Sequence, residues 1–437
     1  MAHSRPVLRS RAAVRIERAP FFRGVFTLPG DKSISHRAAL LGAMALGETR
    51  VRNYSTAADC ASTLACLRGL GVETRGDGTT VRISGDGLEA WRPPSAVLDA
   101  GNSGSTVRML AGALAGRPFR SVLTGDESLR RRPVERVAAP LRAMGATVTT
   151  TDGRPPLTVE GGRLLGLAHD LPVASAQVKT AILLAGLQAA GETTVREPGP
   201  SRDHTERMLP AFGVPVERRG LAVTVRGGAR LRGTEVIVPG DASSAAFLVV
   251  AALVLPDSEV RLDGVLLSPT RTAFVEVLRA MGGRVEARLE AAQPEPVGSL
   301  VASSSTLRGT TVDPALVPCL IDEVPALAVA AAFAQSPFTV TGAAELRVKE
   351  SDRIAAMAEG LAALGARVRE RPDGLEVEGG APLRGARVRS HGDHRIAMAL
   401  SVAALGAEGA TEIQGAECVA VSFPGFYALV DRATGRA

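Results

Sequence analysis

The chain has little sulfur and few aromatic rings: four cysteines, one tryptophan, two tyrosines and eleven phenylalanines among 437 residues. Aromatics at 3% leave few platforms on which single-stranded bases could stack. Cys60, Cys66, Cys319 and Cys418 show neither Cys-x-x-Cys spacing nor a dense framework. That sets aside a structural metal and a disulfide scaffold, and points to free thiols in a reducing compartment. No apolar run is long enough to span a bilayer, and the N-terminal segment with Arg5, Arg9, Arg11, Arg15 and Arg18 lacks the apolar stretch of a secretory signal. It reads as a basic tail or short targeting segment. Also missing are the Gly-x-x-x-x-Gly-Lys-Ser/Thr phosphate loop, a Gly-x-Gly-x-x-Gly after a strand, and His-Glu-x-x-His. Nucleotide and zinc chemistry therefore lack support. Gly-Asn-Ser-Gly-Ser at 101–105 is not the serine-hydrolase elbow, which needs glycines two residues either side of the serine.

What is present suits a globular protein that handles anions. Hydrophobic residues make up 45% and charged residues 22%, with 51 basic against 45 acidic side chains, a formal +6. A chain of this length buries a sizeable core and divides into two or more domains. With so few aromatics, small acidic substrates are favoured over nucleic acid.

The chain repeats itself. A helix-ending pattern closes on Gly71, Gly145, Gly213, Gly282 and Gly365, at intervals of roughly 70–80 residues. Interleaved with it are Ala/Leu-rich helices that run through a small turn into an alternating strand, as at 46–51, 190–195 and 335–340. Six units in two halves account for both patterns. Gly-Asp-Gly at 76–78 and Pro-Asp-Gly at 372–374 mark hairpins within units. Leu28-Pro29-Gly30-Asp31 returns as Val238-Pro239-Gly240-Asp241. These turns are natural crossovers, giving an inserted domain at 30–240 and a discontinuous one from 1–29 plus 241–437.

The chemistry gathers where helices begin. Leu28-Pro29-Gly30-Asp31-Lys32-Ser33-Ile34-Ser35-His36-Arg37 runs from a turn through a cap, Asp31 or Ser33, into an apolar helix body. Comparable starts lie at 101–105, 175–179, 240–244, 321–323 and 392–395. Capping explains their Ser, Asp and Asn residues, but not the repeated company of cations: Lys32, Arg37, Arg108, Lys179 and Arg395. Helix N-termini attract anions through free N–H groups and the helix dipole, so side-by-side packing of the units would converge these ends on one anion-binding face. Three clusters stand apart. Arg130-Arg131-Arg132-Pro133 is a basic run whose proline places Arg132 at a helix start. Ser201 to Glu206 reads as a capping box if Ser201 or Thr205 is the cap. In Arg347 to Arg353, Lys349 and Arg353 would share a helical face, with Glu350 a titratable carboxylate beside them, a set suited to acid/base work.

Taken in order, LPGDKSISHR (28–37), GNSGSTVR (101–108), LRRRP (129–133), SAQVK (175–179), IDEVPALA (321–328), RVKESDR (347–353) and GDHRIAMA (392–399) closely resemble the 5-enolpyruvylshikimate-3-phosphate synthases. The match covers all but the N-terminal segment. The resemblance implies an α/β fold, an inside-out α/β barrel of two domains, each of three βαβαββ-type repeats with helices buried inside, and a site in the cleft between them. It implies transfer of the enolpyruvyl group of phosphoenolpyruvate to the 5-hydroxyl of shikimate 3-phosphate with release of phosphate, in the shikimate pathway of aromatic amino-acid biosynthesis. Asp322, Glu350, Lys349 and Lys32 would be catalytic, Asp322 as base for the hydroxyl and Lys349 and Glu350 in proton transfer at the methylene carbon. Shikimate 3-phosphate would be held by Lys32, Ser33, Arg37, Ser175, Ala176, Gln177, Arg202, Asp322 and Lys349. Phosphoenolpyruvate would lie among Lys32, Asn102, Gly104, Arg132, Gln177, Arg353 and Arg395. No metal or cofactor is implied, nor nucleic acid or membrane as a partner; a cytoplasmic monomer is expected, with glyphosate as an inhibitor at the phosphoenolpyruvate site. Repulsion between like charges would hold the empty halves apart until anionic substrates bridge them.

Two positions depart from the family pattern. Val421 stands where many members carry a lysine before the C-terminal Phe423-Pro424, and Glu345 where some have a neutral amide. The sister family that acts on UDP-N-acetylglucosamine places a reactive cysteine in the loop before its Arg-Pro motif; here Thr124 to Pro133 contains none. The other alternative is a non-catalytic basic repeat protein that binds nucleic acid. It gives no reason for Asp322, Lys349 and Glu350 to occur together.

Overall fold

The computed structural model describes residues 13–436. Of the basic N-terminal segment, Arg5, Arg9 and Arg11 lie outside the described residues. Among those described, the strands form six small sheets, all variations on one plan. In the first, Leu46–Arg52 pairs antiparallel with Thr80–Asp86, which pairs antiparallel with Glu73–Asp77, while Glu235–Ile237 lies parallel on the outer side of Leu46–Arg52. Strands within 98–160 and within 168–226 repeat that order.

Beyond residue 240 the plan recurs with strands borrowed from the N-terminus. Arg23–Thr27 lies parallel to Glu259–Leu266, and Ala13–Glu17 lies antiparallel to Ala410–Gln414. The remaining sheet joins Phe338–Val340, Gly374–Val377 and Val368–Arg371, with Thr311 bridging to Thr339 on the outer side. Both expected hairpin turns are present, at 78–79 and 372–373. At the crossovers Gly30 faces Gly240, the Asp31 amide donates to the Pro239 carbonyl at 2.7 Å, and the Asp241 amide donates to the Pro29 carbonyl at 2.9 Å.

Six helices are buried almost throughout: Lys32–Met44, Gly104–Leu114, Ala176–Gly186, Ala242–Val254, Val324–Ala332 and His394–Gly406. Ala, Leu, Val and Gly dominate them on every face, the composition of a helix with no solvent side. Small residues also let them pack closely. A Cβ at Gly112 would lie 2.1 Å from the Ala181 carbonyl oxygen of the neighbouring helix. The sheets cover these helices from outside, so the hydrophobic core is helical, as the inside-out expectation required. The helix-ending glycines Gly71, Gly145, Gly213, Gly282 and Gly365 all have φ between +82° and +113°. L-residues avoid that region, so each glycine releases a helix into the following strand without strain. No single helix among the described residues is long and apolar enough to cross a membrane.

Candidate active site

All six buried helices point their N-termini at one cavity of about 210 Å³. Lys32 and Ser33, Gly104 and Ser105, Ala176 and Gln177, Asp241, Asp322, and His394 with Arg395 line it, one group from each helix start. Four starts are capped as their residue types predict. Asp31 accepts from the Ile34 amide at 2.9 Å, Ser103 from Thr106 at 3.1 Å, Asp241 from Ser244 at 2.9 Å and Asp393 from Arg395 at 2.9 Å. Two of the cap carboxylates also hold cations of the cavity wall, Asp31 pairing with Arg271 and Asp393 with Arg353, each at 2.7 Å. Nine lysines and arginines line it against five carboxylates, a positive excess on top of six helix dipoles.

Asp322 sits at the centre of this charge. Its carboxylate accepts from Arg353 Nη1 at 3.1 Å and from Arg202 Nη2, with Lys349 Nζ at 3.8 Å and Arg395 Nη2 at 3.7 Å. Arg395 Nη1 also donates to the Asp322 main-chain carbonyl at 3.0 Å. Burial alone would raise the Asp322 carboxyl, but Arg395, Lys349, Arg202 and Arg353 together hold it well below the usual carboxylate range. Glu350 is built the same way: it accepts from Arg353 Nη2 at 2.6 Å and from Arg132 Nη1 at 3.4 Å. Burial opposes its charge, and Arg353, Arg132, His394 and Lys32 overcome that. The surrounding cations thus favour the charged form of both carboxylates. Burial lowers the Lys349 ammonium, with Asp322 only partly restoring it, so Lys349 is a stronger acid than a surface lysine. Lys32 goes the other way: burial works against its charge, but Asp59, at 2.8 Å, holds it above the ordinary lysine value.

Several expectations need correction. Like charges do not hold the halves apart. Arg202–Asp322, Arg132–Glu350 and Arg136–Glu345 pair cations before residue 240 with carboxylates after it, and Ser128 Oγ donates to the Glu350 carbonyl at 3.3 Å. The acidic residues of the second half neutralise enough of the excess to bridge the cleft. No capping box forms at 201–206: Ser201 Oγ donates to Glu197 at 2.9 Å, and the Glu206 carboxylate meets Lys179 at 2.7 Å. Ser175 precedes its helix without capping it. Lys349 and Arg353 share no helical face, because Lys349 ends the short turn Ala344–Val348 and Arg353 opens the helix Arg353–Ala363. The bend between them still delivers both to the cavity.

Most of the expected site residues line the cavity, but Arg37 and Asn102 stand behind its wall. The Arg37 guanidinium is spent on Thr205 Oγ1 (2.8 Å), Thr180 Oγ1 (2.9 Å), the Ser33 carbonyl (2.9 Å) and the Ala176 carbonyl (3.3 Å). Asn102 accepts from Arg132 at 2.6 Å and donates to Asp126 at 2.7 Å, which aims Arg132. Glu345 is paired with Arg136 at 2.7 Å, while Val421 lies outside the cavity lining. The sequence reading missed Asp59, Arg136, Arg271 and His394 as lining residues. His394 is fully buried with Nε2 unpartnered, and burial takes its pKa to about 3. Arg271, almost inaccessible, donates to Asp31 Oδ2 at 2.7 Å and to Ser243 Oγ at 2.8 Å. An arginine in the first turn of an otherwise amphipathic helix, Pro269–Ala280, was its only sequence signal.

An inside-out helical core whose N-termini surround a cationic cavity holding two carboxylates and an acidic lysine is built to bind small polyanions and to move protons on them. Residues 19–429 match the family model for EPSP synthase (3-phosphoshikimate 1-carboxyvinyltransferase). The chain is 52% identical to the 3-phosphoshikimate 1-carboxyvinyltransferase of Desulforudis audaxviator, over 94% of this chain and 97% of that one. It is 53% identical to that of Acidithiobacillus ferrooxidans, over 94% and 95%. Among solved structures, EPSP synthase from Acinetobacter baumannii superposes with a TM-score of 0.85 at 45% identity, covering 96% of this chain and 97% of that one. The enolpyruvyl transferase NikO from Streptomyces tendae shares the fold with a TM-score of 0.76 at 21% identity, covering 96% and 97%. The chain belongs to the EPSP synthase (3-phosphoshikimate 1-carboxyvinyltransferase) family, and its reaction is the shikimate-pathway transfer of an enolpyruvyl group to shikimate 3-phosphate.

Proposed function

We propose that Asp322 is the base and Lys349, with Glu350, the proton carrier in an addition–elimination that joins the 5-hydroxyl of shikimate 3-phosphate to C2 of phosphoenolpyruvate. The observation that carries this is the convergence of Arg202, Arg395 and the pair Lys349 and Arg353 on the Asp322 carboxylate from three separate stretches of the chain. That convergence keeps Asp322 ionised and within reach of a lysine made acidic by burial. Asp322 takes the hydroxyl proton, the oxygen bonds to C2, and the methylene carbon gains a proton from Lys349. The methyl group rotates, and loss of any one of its three protons to the enzyme with departure of phosphate regenerates the double bond.

Glu350 is ionised only while Arg132 and Arg353 face it. A phosphate or carboxylate that draws those guanidiniums away raises its affinity for a proton, so it takes part once phosphoenolpyruvate is bound. Arg132, Arg353 and Arg395 hold phosphoenolpyruvate near Gly104, while Lys32 reaches both substrates. Ser33, Ser175, Ala176, Gln177 and Arg202 hold shikimate 3-phosphate. Arg37 and Asn102 act through the residues they support. Cationic groups offset the mutual repulsion of two polyanions, the largest obstacle to bringing them together. The strand pairings support two domains, 30–240 and 1–29 with 241–437, with the cleft at their junction. The protein acts as a cytoplasmic monomer on small anions, with no nucleic-acid or membrane partner, a setting that suits its four free thiols.

Turnover in deuterium oxide tests the proton steps. Deuterium should enter the methylene group of the product, and Lys349→Met should suppress incorporation together with turnover. Product free of deuterium would rule out a methyl-bearing intermediate and the roles of Lys349 and Glu350.

A further inference from the structure

Beside the cavity lies a buried charge cluster that the chemistry does not use. Lys179 on the helix Ala176–Gly186 meets Glu197 Oε2 at 2.6 Å and Glu206 Oε1 at 2.7 Å, with all three side chains at most 3% exposed. Glu197 follows the strand Glu192–Arg196 and Glu206 lies on the helix His204–Met208, so one ammonium joins three segments. Burying three ions costs several kcal/mol per ion before their attraction is counted, which makes them a poor choice for stability alone. Burial disfavours the Lys179 charge, but Glu206 and Glu197 outweigh it and raise its pKa.

The hydrogen bonds of Glu197 show what the cluster holds. Its Oε1 accepts from the Ser175 amide at 2.9 Å, and its Oε2 accepts from Ser201 Oγ at 2.9 Å as well as from Lys179. Ser175 and Ser201 both line the cavity. Because Ser175 does not cap its helix, its hydroxyl is free for a ligand, and only its backbone is tied down. Ser201 precedes Arg202, whose guanidinium donates to Ser33 Oγ at 3.1 Å and crosses to Asp322. One carboxylate thus sets the position of two separate stretches of the same wall.

We infer that Glu197, locked by Lys179, is a positioning residue for the shikimate 3-phosphate wall, fixing Ser175 and the Ser201–Arg202 segment without touching either substrate. This rests on the assignment of that wall to shikimate 3-phosphate. Glu197, Lys179 and Glu206 make no bond to Arg132, Arg353 or Gly104, and the link to Arg353 runs only at one remove, through Arg202 and Asp322, so the influence of the cluster falls chiefly on one substrate.

The test separates the two substrates kinetically and by calorimetric titration of shikimate 3-phosphate alone, with Arg202→Ala as a probe of the wall itself. Glu197→Gln should raise KM and Kd for shikimate 3-phosphate about tenfold or more while KM for phosphoenolpyruvate stays within about twofold. Lys179→Met should do the same, and Lys179→Arg, which restores the cation, should recover most of the loss. Should Glu197→Gln fold poorly, Glu197→Asp, which shortens the reach by one methylene, must give the same split. Equal losses for both substrates, or a lower melting temperature with unchanged constants, would reduce the cluster to structure and overturn the inference. So would a loss of shikimate 3-phosphate affinity in Arg202→Ala with none in Glu197→Gln, which would leave the wall assignment standing. If neither variant alters shikimate 3-phosphate binding, the wall assignment fails and the inference with it.

Discussion

Asparagine at position 322 keeps the volume of the side chain and removes its charge, so Asp322→Asn isolates what that charge does. The amide oxygen can still accept from Arg353, but it can no longer take a proton from a hydroxyl. Loss of a positioned general base costs about 10²–10⁴ in turnover. Stability should fall far less. Arg353 keeps Asp393 at 2.7 Å and Glu350 at 2.6 Å, and Arg202 keeps Ser33 at 3.1 Å, so neither guanidinium is stranded. A hydrogen bond to a charged group contributes about 1.5–3 kcal/mol, of which the neutral amide retains part, leaving roughly 1–2 kcal/mol lost. For a domain near 200 residues that is a melting shift of about 2–8 °C. Affinity for shikimate 3-phosphate should hold or tighten, because Lys349, Arg202 and Arg395 lose a competing anion. Steady-state kinetics, titration calorimetry and scanning calorimetry read the three effects separately. Turnover within about threefold of wild type would refute the base assignment, and a tenfold weaker shikimate 3-phosphate with intact turnover would make Asp322 a binding residue only.

Gly104→Ala should weaken glyphosate more than phosphoenolpyruvate. A Cβ there would lie 2.8 Å from Arg108 Nη1 and 3.5 Å from Arg132 Nη1, and Arg108 is held by Gln177 at 2.7 Å and the Pro133 carbonyl at 3.0 Å, so the strain of about 1–3 kcal/mol falls on the phosphoenolpyruvate side. Equal losses for inhibitor and substrate would show that Gly104 serves loop geometry alone. Stability should peak near pH 6.5. Burial keeps His36, His204 and His394 neutral in the fold, the last two down to about 3, so the unfolded chain binds more protons below about 6.5 and stability drops on acidification. Burial pushes Glu295 from 4.5 up to about 8, so the folded chain alone keeps that proton between those values, and above about 6.5, where the histidines no longer offset it, stability falls as pH rises toward 8. Melting temperatures of Glu295→Gln should lose the alkaline slope, and an unchanged slope would contradict the assignment.

Local physics was legible in the chain; distant pairing was not. Asp31, Ser103, Asp241 and Asp393 cap helices through bonds two or three residues long, so the polar helix starts that hold them were legible, though not which residue of each start would cap. Positive-φ glycines and the echo of Pro29-Gly30-Asp31 in Pro239-Gly240-Asp241 announced the repeats in the same way. Where a tertiary partner outbid a local one, the reading failed. Ser201 to Glu206 read as a local helix cap, but the Glu206 carboxylate lies against Lys179. Arg37, which the resemblance places on shikimate 3-phosphate, meets four protein acceptors that no local pattern showed. Asp59 with Lys32, and Arg271 with Asp31, are partners only because the fold brings together residues that no short window connects. Family resemblance supplied roles for Asp322, Lys349 and Glu350, and the structure adds why each has the charge state its role needs.

The most direct measurement is phosphate release by the purified protein, followed together with the mass of the organic product. With shikimate 3-phosphate and phosphoenolpyruvate both present, phosphate should appear in step with a product carrying the enolpyruvyl group on the 5-oxygen, and neither substrate alone should release it. Phosphate from phosphoenolpyruvate alone, or transfer to UDP-N-acetylglucosamine in place of shikimate 3-phosphate, would contradict the account.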